Sequence, residues 1–206
     1  MTSNNEKHNV WMTTKRIETL VDGIFAIAMT LIVLSIDLPV INGPVTDPVI
    51  WQYISNLSQQ LFIYAFSFLL LASFWKAHHQ QFFFIKRFDS NLIWLNVIWL
   101  MFIALVPFST NFVSTYGSHL PAMLFFNLNM LFIGIFYILN WTYVYRKNYF
   151  IKEISVAQLN MMRKMNLVLP ITALIAIVIT FISPTLSPFS YFLIFLLKRS
   201  FRMGLI

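Results

Sequence analysis

Three charged residues, Arg16, Glu18 and Asp22, open the otherwise apolar stretch RIETLVDGIFAIAMTLIVLSIDL, which runs from Arg16 to Leu38. A segment of that length can cross a bilayer, and ionised groups near its start are costly unless partnered, so they mark a working part. On a helical wheel, Leu31, Leu34 and Thr30 fall within about 60° of Ile27, Asp22 lies about 140° from Ile27, and Glu18 lies about 40° from Asp22. One helix therefore carries an aliphatic stripe on one side and carboxylates aimed at a different neighbour. Gly23, Ala26 and Ala28 are small residues of the kind that let membrane helices approach closely.

His78 and His79 are the other chemistry-bearing pair. Adjacent helical histidines point about 100° apart, and no H-x-x-x-H or carboxylate-rich spacing accompanies them, so hydrogen bonding between helices is expected and no metal site. Asp37, at the far end of the first helix, reads as a solvated residue.

The elements that must position these residues are helices in a bilayer. Of 206 residues, 59% are hydrophobic and 10% charged, well below the ~25% charged share of an ordinary soluble domain. Six apolar stretches have spanning length, over 16–38, 52–75, 90–113, 120–145, 165–183 and 185–200, the last disturbed at its start by Pro184 and Pro188. The 14 Lys and Arg residues precede or open the first stretch, fall between the second and third and between the fourth and fifth, or lie at the end of the chain from Lys198 onward, while the other three loops carry none. That is a complete positive-inside pattern for six spans with both termini in the cytoplasm. Basic residues confined to every second loop do not make a nucleic-acid face, although the net charge is +7.

The chain reads as one domain over 1–206. The start MTSNNEKHNV is polar and no signal-type cleavage site follows the first apolar run, so that run is expected to be retained. Pro39 to Ile50, with Pro39, Gly43, Pro44 and Pro48, is expected to be irregular, and the inner segment Arg146 to Lys164 to hold a short interfacial helix. Trp and Tyr residues near span ends fit an interfacial belt. Asp22 is expected to pair with His78, Trp75 Nε1 or Asn96, which enter from the same side, as scaffold.

Arg16, Asp22 and Gly23 in R-x-x-x-L-V-D-G, followed by IFAIAMTLIVL, resemble the first-helix signature R-x-x-x-F-S-D of the transmembrane protein 175 family of potassium channels, with Leu20 and Val21 in place of its Phe and Ser. Phe74 to His79, and Leu92 to Asn96 leading to Pro107-Phe108-Ser109-Thr110, are similar to family sequences in type and spacing, so the resemblance covers most of 14–112.

The resemblance implies an all-α, six-span channel of the prokaryotic branch, without a re-entrant pore loop, sited in the plasma membrane. Four copies would assemble with their first helices lining the pore, and potassium would pass passively with no cofactor. It further implies that Ile27, five positions after Asp22, forms the narrowest ring, with Leu31 and Leu34 one and two turns further and Thr30 as a hydroxyl-bearing selectivity position. A ring of isoleucines can gate by dewetting.

Arg16 then falls about 20° from Ile27 at the inner mouth, so either the helix starts later and Arg16 turns aside, or the mouth is wide there. No enzyme is expected, since no nucleophile with its base lies at bilayer depth. A secondary transporter of a small cation or solute is the alternative, with Pro107 and Pro170 as possible helix breaks.

Overall fold

The computed structural model describes residues 14–38, 43–151 and 154–203. The first helix, α1 (Thr14–Leu31), tightens into a 3₁₀ turn over Ile32–Ser35. It is followed by α2 (Asp47–Phe82), α3 (Ser90–Ala104), α4 (Val106–Tyr116), α5 (Leu120–Lys147), α6 (Val156–Ile182), a 3₁₀ segment (Pro184–Tyr191) and α7 (Phe192–Met203). Among the described residues five helical stretches are long and apolar enough to cross a membrane: Lys15–Ser35, Asp47–Phe82, Ser90–Tyr116, Leu120–Lys147 and Val156–Ile182. This is an all-helical membrane protein.

Local chemistry sets the helix ends. Asp89 Oδ1 accepts the Leu92 N–H at 2.9 Å and so caps α3. Asn148, at φ 52°, takes the left-handed conformation that closes α5. Ser155 and Gln158 form a reciprocal capping box that starts α6. That box corrects one expectation: there is no separate interfacial helix over the described part of 146–164, because residues from Val156 onward already belong to the long α6. A second expectation, a sixth span over 185–200, is met only by the 3₁₀ segment and the 12-residue α7, because Pro184 and Pro188 keep the chain from an α-helical start. Of the irregular loop expected over Pro39 to Ile50, residues 39–42 lie outside the described residues; 43–46 are irregular, with Gly43 at φ 126°, and α2 begins at Asp47 with Pro48 in its first turn.

The prolines act differently in the two places where a break was expected. Pro107 divides α3 from α4, yet the Leu105 N–H still bonds to Met101 O and the Ser109 N–H to Leu105 O, so the chain runs on across the membrane. Pro170 sits inside an unbroken α6. Its ring is accommodated by Gly134 of α5: a Cβ at Gly134 would lie 2.8 Å from Pro170 Cδ and 2.9 Å from its backbone nitrogen. The two longest-packed helices can therefore meet at backbone distance.

Two clusters of polar side chains bond to one another within the bundle, where hydrocarbon surroundings offer no other partner. Asn127 donates to Thr180 Oγ1 at 2.7 Å and Ser187 Oγ at 2.8 Å, and accepts from the Tyr191 hydroxyl at 2.8 Å, which ties the 3₁₀ segment after α6 back onto α5. At the other end of the molecule, Asp89 Oδ2 accepts from Tyr143 at 2.6 Å and from Tyr149 at 3.0 Å. A β-bridge between Ile85 and Phe150 joins the same two connections. Partial burial works to raise the Asp89 pKa, but the hydrogen bonds from Tyr143, Leu92 N–H and Tyr149, with Lys147 nearby, outweigh it and hold the carboxyl below its ordinary value of 3.8.

Two outcomes follow from this packing. Gly134→Val forces α5 from the Pro170 ring and backbone, and thermal unfolding in detergent will show a loss of about 1–3 kcal/mol. Because the folded pKa of Asp89 is depressed, its stabilisation is present above its ordinary pKa of 3.8 and lost as pH falls through the folded value. Asp89→Asn is therefore less stable than wild type at neutral pH, and the gap closes as unfolding is measured at progressively lower pH below 3.8; a gap independent of pH would contradict the ionised contact.

Candidate functional site

Helix α1 packs on α2, α3 and α4 through Ile17, Val21, Phe25, Ala28 and Ile32, all buried. Phe25 meets Trp99 of α3 with ring centroids 5.7 Å apart. Hydroxyl contacts fix its C-terminal end: Tyr53 of α2 donates to Asp37 O at 2.7 Å, and Ser114 of α4 donates to Ser35 O at 2.9 Å. Lipid tails are as apolar as leucine, so this stripe is held by packing rather than by escape from water.

The opposite stripe points away from the bundle. Ile27 is 61% exposed, Leu31 43% and Leu34 64%, and Thr30, Ala26 and Gly23 lie on the same outward side. A Cβ built on Gly23 meets nothing within 4 Å, so among the described residues no helix of this chain closes on it. Of the small residues, Ala28 serves packing inside the chain, while Gly23 and Ala26 leave the outward face low. The Thr30 hydroxyl donates back to the helix carbonyls of Ile27 at 2.8 Å and Ala26 at 3.0 Å. With its hydrogen engaged by the backbone, the oxygen can present only acceptor lone pairs outward.

Asp22 sits at the margin between the two faces and is exposed. Trp75 Nε1 of α2 donates to its Oδ1 at 2.8 Å, and the Trp75 ring stacks on His79 at 6.1 Å. Of the three expected partners, only Trp75 reaches it. His78 and Asn96 bond to each other instead, Nε2 to Oδ1 at 3.2 Å, both buried. Asn96 Nδ2 also donates to Asn140 of α5 at 3.0 Å, and the His78 ring stacks on Trp99 at 4.7 Å. The reason is rotation: His78 lies on the inner face of α2 and Trp75 on the outer edge, beside α1. The carboxylate contact expected to be buried is thus at the rim of the chain.

Arg16 lies in the first turn of α1, exposed. The helix begins at Thr14, so of the two alternatives for Arg16 a later helix start is not the one found. The two histidines diverge as adjacent helical residues must, one buried and one exposed.

Residues 16–107 match the sequence profile of the family described as endosomal/lysosomal potassium channel TMEM175. A potassium channel of Streptomyces collinus is 35% identical over 115 residues, 53% of this chain and 54% of that one. The chain spans about half the length of the curated relatives it matches. Among solved structures, a lysosomal potassium-selective channel TMEM175 homolog from Chamaesiphon minutus superposes with TM-score 0.71 at 26% identity, covering 93% of this chain and 97% of that one. A variant of the potassium channel MtTMEM175, bound to a nanobody–MBP fusion, matches with TM-score 0.61 over 98% of this chain and 97% of that one; at 20% identity that likeness is one of fold alone. The motif Arg16 to Gly23 lies inside the matched region, and the chain is similar to the TMEM175 potassium channels by sequence over residues 16–107 and by fold over nearly its whole length.

Proposed function

We propose that the chain is one of four identical subunits of a potassium-permeable cation channel, with α1 of each copy lining a central pore in the plasma membrane and both termini in the cytoplasm. The observation that carries this reading is the outward stripe of α1, apolar at Ile27, Leu31 and Leu34 and interrupted by Thr30. Around a pore axis, the three aliphatic positions form successive narrow rings that resist water and ions until they widen, and Thr30 supplies an oxygen acceptor between them.

The charged motif acts as scaffold in this arrangement. Asp22, held by Trp75 at the edge of the face, fixes the angle between α1 and α2, and Gly23 and Ala26 let the neighbouring copy approach. Arg16 lies at a mouth wide enough for its side chain to turn aside from the axis. The relatives named as potassium channels support the choice of ion. A secondary transporter would need an unwound segment at mid-membrane, whereas α6 continues through Pro170 and backbone bonds continue on both sides of Pro107.

The test is potassium flux into liposomes holding the purified protein. Ile27→Asn should raise passive flux about tenfold, roughly 1.4 kcal/mol off the barrier at the constriction, and should weaken discrimination against sodium. Equal flux in both proteins moves the constriction off Ile27. No passive flux in either, from a folded oligomer, removes the channel reading.

A further inference from the structure

A cavity of about 590 Å³ lies away from α1, between the end of α2, α5, α6 and α7. That volume is in the range of sites that hold small organic ligands, roughly 300–1,000 Å³. Its wall is made by Met161, Met162 and Met165 of α6 together with Phe84, Ile133 and Leu169. Unbranched thioethers adapt to ligands of irregular shape. Among the described residues no Asp, Glu, Lys or Arg lines it, and His79 is the one histidine in its wall.

The cavity also holds one built polar station. Gln81 Nε2 donates to Asn166 Oδ1 at 3.0 Å. This uses the acceptor of the Asn166 amide and leaves its donor: Asn166 Nδ2 is buried with no hydrogen-bond partner, in a residue 5% exposed. A buried donor left unpaired costs free energy that a ligand oxygen would restore. Tyr137 adds a hydroxyl on the α5 side, and Gln80 and Gln158 stand among the lining residues.

We propose that this cavity binds an uncharged, single-chain amphiphile of the acylglycerol class, its apolar chain along the methionine wall and a carbonyl or hydroxyl oxygen accepting from Asn166 Nδ2. The site is separate from the α1 face and stands whether or not the protein conducts. An acyl chain suits the wall, an ester oxygen suits the lone donor, and a wall without Lys or Arg among the described residues favours an uncharged head over a phosphate-bearing one.

The whole chain in lipid nanodiscs is labelled with a monoacylglycerol carrying a diazirine in its acyl chain, and adducts are mapped by peptide mass spectrometry. Adducts are expected on residues 74–84 and 156–169. Met165→Trp, which fills the cavity, should cut them at least fivefold, and unlabelled monoacylglycerol should compete about tenfold less well in Asn166→Leu, the effect of one lost hydrogen bond. Lysophosphatidylcholine of the same chain length should not compete. Should Met165→Trp lose the wild-type elution position, Met161→Phe serves as the second filling variant. Adducts spread over outward α6 residues such as Val178 and Phe181 and insensitive to filling would overturn the proposal, as would equal competition by the lysophospholipid.

Discussion

Helix α1 has two apolar sides and the chain covers one of them. Ile17, Val21, Phe25, Ala28 and Ile32 are packed on α2, α3 and α4, while Ile27, Leu31 and Leu34 are left outward. In lipid neither side gains much from leaving water, so what fixes the helix is shape and a few directional bonds at its margins: Trp75 to Asp22 near the start, and Tyr53 and Ser114 near the end. Those three hold the outward stripe at one rotation, and a rotation of the helix by a single residue, about 100°, would bring Asp22 or the buried stripe to the outward face instead.

The rest of the bundle serves to keep that helix in place. Asn96, bonded to His78 and Asn140, joins α2, α3 and α5 at one level, and Trp99 lies between the His78 ring and Phe25 of α1. The inner polar cluster thus meets α1 through an aromatic contact, while Asp22 keeps its partner at the rim. Further off, the Asn127 cluster and the Gly134 to Pro170 approach join the C-terminal elements to α5. They set the platform and do not touch the outward stripe.

The division of α1 was legible because a helix repeats every 3.6 residues and the hydrophobic pattern follows it. So were five of the six spans, from apolar length. Ser155 and Gln158 also signal a helix start in the sequence, and this sign outweighs the basic, amphipathic look of 146–164 that suggested a separate surface helix. Partner choice was not legible. Trp75, His78 and Asn96 were equally placed for Asp22 by sequence, and only the rotation of α2 separates them. Asn140, Asn127 and Tyr191 bond across long separations that leave no periodic mark, and Gly134 gains its meaning only from facing Pro170. The 3₁₀ segment from Pro184 shows how two prolines shorten an apolar run that composition alone would count as a span.

The chain contains no cysteine, so single cysteines can be placed along α1 and probed with a water-soluble thiol reagent while potassium flux is followed. If the outward stripe lines a water-filled path, cysteines at Ile27, Thr30, Leu31 and Leu34 will react and change the flux, while those at Val21, Phe25, Ala28 and Ile32 will stay silent. Silence along the outward stripe, with flux that instead responds to cysteines on the outward side of α6, would contradict the assignment of α1 as the pore helix.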